Sequence, residues 1–155
     1  MKIRDIMRLD LFTAIFSSGV AYYFMPCCVS HDLALAFYNI GVTVLSILFS
    51  VFFAALAIIL SSSSDDFVKF LERDGSYTAI INLYKYTLAV LFIGLLVSIV
   101  ASMITSFIMK SGSLNQNKIY SSLFVGLFFY GVFCSYNSAK DAIMYSMYRM
   151  KFLKD

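Results

Sequence analysis

Four long apolar runs, residues 11–29, 33–60, 86–109 and 119–139, contain no Lys, Arg, His, Asp or Glu and make up more than half of the 155-residue chain. Each is near or above the ~20 residues an α-helix needs to cross the hydrocarbon of a bilayer. The expected fold is therefore all-α: an integral membrane protein of four transmembrane helices in a single domain, residues 1–155. A mean hydropathy of +0.83, with 61% apolar and 14% charged residues, agrees with lipid rather than water as the solvent. Helices of a soluble bundle would each carry a polar stripe, whereas these runs are apolar round most of their circumference. Lys2, Arg4 and Arg8 before the first run, and Gly19-Val20-Ala21 within it, are features shared with signal peptides. The expectation is a retained span without lipid, because Pro26 stands where a lipoprotein signal places a small residue before its cysteine.

Charge sets the expected orientation. Three Lys or Arg precede the first run, three lie between the second and third and four follow the last, against Lys110 and Lys118 on the other side. Ten against two places both termini in the cytoplasm, which in a bacterium makes the location the inner membrane. Eight acids (Asp5, Asp10, Asp65, Asp66, Glu72, Asp74, Asp141 and Asp155) share the basic side and reduce its net charge to +2. Those charges are expected to orient and solvate the helix ends. They lack the clustered basic density of a nucleic-acid surface, so no direct nucleic-acid partner is expected.

The loops on the sparsely charged side, residues 26–32 and 110–118, are too short for an ectodomain. The longest connection on the other side reads as a short cytoplasmic amphipathic helix. Ser63-x-x-Asp66 has capping-box spacing, acids occupy the first turn and Gly75 stops it. Phe67, Phe70 and Leu71 share one face, which would lie along the membrane interface or dock a partner. Residues 140–155 read as a helical tail continuing the fourth span, with Ile143, Met147 and Met150 on one face, flanked by Met144 and Tyr148. Methionine-rich faces adapt to irregular partners. The expected occupant of this one is either the protein's own oligomer or a soluble cytoplasmic protein.

Catalysis needs convergent polar groups, and candidates are sparse. His31 is the sole histidine, beside Asp32 and near Cys27 and Cys28. Two adjacent cysteines and one histidine lack zinc-ligand spacing within one chain, so a zinc site would have to be completed across subunits, and a pH sensor is the other reading of His31. Adjacent cysteines pair with each other only through a strained ring, which leaves an intersubunit disulfide as their expected oxidised form. Cys134 is expected to be a small packing residue. Proton-coupled transporters, charged-ring channels and intramembrane proteases place ionisable groups at depth, and these runs have none. The expectation is a non-enzyme with no cofactor and no metal. A hydrophobically gated pore stays open as an alternative, because dewetting needs only apolar constrictions.

Small residues recur in rows, the pattern that lets helix backbones approach closely in lipid. They are Gly94, Ser98, Ser102 and Ser106 in the third run, Thr43, Ser46, Ser50, Ala54, Ala57 and Ser61 along the second, and Gly131, Ser135 and Ala139 in the fourth. Contacts within one protomer account for at least one row. A homo-oligomer, with a tetramer as the working count, accounts for another at a subunit interface or along a pore, where Asn39 and Asn137 would bridge helices. At 28 residues, about 42 Å, the second run must tilt or project beyond ~30 Å of hydrocarbon.

Size, four spans, inward termini and the capped segment 63–75 resemble the small four-span membrane proteins of bacterial anti-phage loci, in particular the membrane subunit of the Kiwa defence system. That resemblance implies an oligomeric inner-membrane sensor that recruits a soluble cytoplasmic effector through the short helix and the tail. The alternatives are a pore-forming effector that depolarises the cell on activation, and a small permease or structural subunit.

Overall fold

The computed structural model describes residues 3–26, 28–61, 66–73, 75–110 and 115–152. Helix α1 covers Ile3–Phe24, followed by strand β1 at Cys28–Ser30, helix α2 at His31–Ser61, short helix α3 at Asp66–Arg73 and helix α4 at Ser76–Lys110. Strand β2 at Asn115–Asn117 leads into helix α5 at Lys118–Phe152. Three of these helices are long and apolar enough to cross a membrane: α2, α4 and, from Lys118 to Met144, α5.

The fourth expected span differs. Only residues 11–24 of the first apolar run are helical, because α1 stops at Phe24 ahead of Pro26, and Cys28 and Val29 of the run belong to β1. Fourteen residues rise about 21 Å, short of a ~30 Å core, so a crossing by α1 draws in the turn that carries Arg8 and Asp10. The other runs understate their helices. At 31, 35 and 35 residues, α2, α4 and α5 are about 46, 52 and 52 Å long. The expected tail forms no separate element, since α5 runs unbroken to Phe152.

One end of the bundle is tied by the antiparallel pair β1–β2, with Cys28 opposite Asn117, Val29 opposite Gln116 and Ser30 opposite Asn115. This ribbon was not foreseen in loops of such polar composition. It joins the α1–α2 connection to the α4–α5 connection and buries Val29 completely. Its ends also start helices: Ser30 Oγ accepts from Leu33 N at 3.3 Å, and Asn117 Oδ1 from Ile119 N at 3.0 Å, as N-terminal caps do.

At the opposite end Gly75, at φ +68°, takes the left-handed conformation that a side chain would disfavour. It turns the chain from α3 into α4. Glu72 then accepts from Thr78 N at 3.2 Å and from Thr78 Oγ1 at 2.6 Å, capping α4. The expected cap at Ser63 lies outside the described residues.

The core follows a step of seven. His31, Tyr38, Leu45, Phe52 and Ile59 of α2 are buried, as are Tyr77, Tyr84, Leu91, Ser98 and Thr105 of α4. A strict seven-residue repeat on both helices is the signature of a left-handed antiparallel seam. Phe52 meets Tyr84 with ring centroids 5.5 Å apart, and Val68 of α3 closes the same cluster beyond them. Helix α5 packs on this pair through Gly131, which lies against Leu45 and Leu91, and through Phe124, whose ring stands perpendicular to Tyr38 at 4.7 Å. Helix α1 packs chiefly on α5, so α5 is the middle of the molecule.

Candidate functional site

Two of the three small-residue rows are consumed inside the protomer. Gly94 and Ser98 are buried on α4, where Gly94 meets Leu45 and Ser98 faces Gly41 across the seam. Ser102 and Ser106 continue the row half-buried. Ser102 donates to Asn39 Oδ1 at 3.3 Å, so Asn39 bridges α2 to α4 of its own chain. On α5, Gly131 and Ser135 are buried and Ala139 is half-buried against the α2–α4 cluster.

The third row points away. Thr43, Ser50, Ala54, Ala57 and Ser61 are exposed on α2 and Ser46 is half-buried. Their hydroxyls are satisfied locally, Thr43 on the carbonyl of Asn39, Ser46 on that of Thr43 and Ser50 on that of Ser46. A smooth face with no hydrogen bond demanded of a neighbour is left on the outside of the protomer.

Asp10 does not solvate a helix end as expected; it is 1% exposed. Asn137 Nδ2 donates to its Oδ1 at 2.6 Å, so Asn137 bridges α5 to α1. A second tie, eight residues on, is reciprocal. Ser122 Oγ donates to the Ser18 carbonyl at 2.6 Å while Ser18 Oγ donates to that of Ser122 at 3.1 Å. Between the two ties Ala14 and Gly126 bring the backbones together.

Beside Asp10 and Asn137 the polar seam continues into α4. Tyr86 and Tyr130 share a hydrogen bond, and Thr87 bonds both Ser138 and, at 3.3 Å, Cys134. Cys134 is buried, the packing position expected. Lys85 and Lys140 follow immediately and are exposed, so the seam sits where the apolar stretch gives way to charge. Every group in it is paired to another helix, which suits it to fixing helix register rather than to turning over a substrate. Among the described residues no three His, Cys, Asp or Glu gather.

Sequence reasoning missed the burial of Asp10, yet a signal is present: Asp10, Ala14 and Ser18 recur at i, i+4 and i+8 on one helical face. His31 was missed in the same way. Read as a loop residue, it is the first position of the α2 seven-step and is 3% exposed. Cys27 lies outside the described residues, as does the Cys28 side chain.

Of the expected docking residues, Ile143 and Met147 are 62% and 53% exposed on α5. The side chains of Phe67, Phe70, Leu71 and Met150 lie outside the described residues, though α3 and α5 carry their backbones. Compared with protein-family models, with curated proteins and with solved structures, the chain matches none of them.

Proposed function

We propose that this chain is a multi-pass subunit of a bacterial inner membrane, with both termini in the cytoplasm, that self-associates and recruits or regulates a soluble effector. The supporting observation is the overhang of α5. At about 52 Å it exceeds a ~30 Å hydrocarbon core by about 22 Å, and the overhanging part exposes Ile143, Met144 and Met147. Apolar side chains held beyond the lipid on a rigid helix need a protein cover, and methionine suits an irregular one. Helix α3, anchored at Val68, lies at the same end and is the second half of the proposed dock, where the sequence puts Phe67, Phe70 and Leu71 at i, i+3 and i+4. The ten-to-two charge asymmetry supports the orientation, and α1 is the fourth crossing in this reading. A sensing role in anti-phage defence rests on the sequence resemblance alone.

The test is affinity purification from the native locus in mild detergent, with native mass spectrometry of what co-elutes. A homo-oligomer carrying a soluble protein is expected, with Ile143→Asp or Met147→Asp lowering partner recovery at least about tenfold, the effect of burying an unpaired charge at an interface. An oligomer that brings no soluble protein refutes the scaffold reading.

The outward hydroxyl row of α2 favours a second reading, in which Thr43, Ser46 and Ser50 line a pore on the oligomer axis and the chain depolarises the cell on activation. Planar-bilayer conductance from the purified oligomer distinguishes the two.

A further inference from the structure

We infer that a crevice at the ribbon end of the bundle is a lipid site, taking one acyl chain between α4 and α5 with its hydroxyl- or ester-bearing head on His31. The inference rests on the membrane reading above. The crevice has a volume of about 690 Å³, within the ~300–1,000 Å³ of ligand pockets. Its floor is buried: His31, Tyr38, Thr105 and Phe124 are each less than a tenth exposed. Its rim is not, since Val97, Ile104 and Ile108 of α4 and Tyr120 and Leu123 of α5 are all more than a third exposed. The opening is therefore lateral and apolar, facing where lipid tails would lie rather than along the bundle axis toward water.

The floor holds a polar group that no described residue satisfies. Neither Nδ1 nor Nε2 of His31 has a hydrogen-bond partner, and buried polar groups in native proteins are nearly always paired. A neutral imidazole offers one donor and one acceptor. The matching head carries both, as a glycerol or phosphoglycerol hydroxyl next to an ester does. Asn117, on the rim beside His31, adds an amide at the same level.

Depth agrees with a single chain. From Ile108 to Val97 α4 descends eleven residues, about 16 Å, against the ~15 Å of one leaflet in a ~30 Å hydrocarbon core. Below His31 the walls are Ala101, Phe124, Leu127 and Val97, with the small Ala101 leaving the width.

The experiment is native mass spectrometry of the full chain, purified from membranes, delipidated and then titrated with 1-palmitoyl-lysophosphatidylglycerol. Wild type should carry one lipid per protomer from the membrane and rebind one probe. The adduct mass tells a diacyl phospholipid with one chain in the crevice from a monoacyl lipid. His31→Phe should weaken the probe on the order of tenfold, as losing one or two neutral hydrogen bonds implies, and Ala101→Phe should block it by filling the shaft. Monodisperse elution and far-UV circular dichroism establish that each variant is folded. A wild type that binds no lipid, equal binding by both folded variants, or equal binding of chain-free glycerophosphoglycerol overturns the assignment. Resistance of the chain to carbonate extraction, measured in parallel, reports on the membrane reading separately.

Discussion

Removing the side chain of Asn137 tests the least replaceable contact in the molecule. Helix α1 leans chiefly on α5, and if it is the fourth crossing proposed above, its many exposed apolar residues, Phe12, Ile15 and Phe16 among them, gain little by packing because lipid tails are equally apolar. Among the described residues its attachment depends on close backbone approach at Gly126, on two hydrogen-bonded ties and on Lys118 Nζ over the Tyr22 ring at 4.0 Å. The Ser18–Ser122 tie joins neutral groups, for which interhelical bonds in membranes average ~0.6 kcal/mol. The Asp10–Asn137 tie is short, at 2.6 Å, and breaking a bond to a buried polar group so that the group is left unsatisfied costs about 1–3 kcal/mol. A double-mutant cycle of Asp10→Ala and Asn137→Ala, followed by reversible unfolding in mixed micelles, should thus give a coupling of about 1–3 kcal/mol. The same cycle on Ser18→Ala and Ser122→Ala should give about a third of that or less. Asn137→Ala alone should cost more than the coupling, because it strands a buried acid, whereas the double variant recovers part of the loss. Coupling below ~0.5 kcal/mol, or no larger than that of the serine pair, would refute the claim that the carboxyl–amide bond holds α1 in place.

Glycine offers an internal contrast. A Cβ at Gly41 would stand 2.5 Å from Phe124 Cζ and 3.0 Å from Ser98 Oγ, whereas one at Gly19 meets nothing within 4 Å. Gly41→Ala should lower stability by about 1–3 kcal/mol through overpacking while Gly19→Ala raises it by up to ~1 kcal/mol through helix propensity, both read as melting temperature in detergent. If the chain self-associates as proposed, the outward row of α2 predicts that Ser50→Phe or Ala54→Phe shifts the oligomer toward the protomer in native mass spectrometry with an unchanged melting temperature. The same substitution at Ser98 should instead unfold the seam, since Ser98 is fully buried. An oligomer untouched by both α2 variants removes that face from the interface.

The amino-acid sequence by itself determined three of the stretches that are helical and apolar enough to cross a membrane, those of α2, α4 and α5, because uncharged length is a property of the chain alone. It also marked the turn at Gly75, where the required backbone conformation is local. The short apolar reach of α1 was readable at Pro26, which cannot continue a helix hydrogen-bonded to the preceding turn. What only the tertiary structure decided is which side of each helix faces inward. In water an apolar face is a buried face, but among lipid tails Ile47, at 58% exposure, and Leu45, at 1%, are equally well solvated, so hydrophobicity carries no such label. Small-residue rows narrow the choice without making it. Gly94–Ser98 and Ser50–Ala54 have the same spacing, and one is inside while the other is outside, because Leu45 and Phe124 fill the space beside the first. Asp10 and His31 show the same thing for polar groups: each lies at the edge of an apolar run, and each is buried because a neighbouring helix, α5 for Asp10 and the α4–α5 pair for His31, happens to cover it.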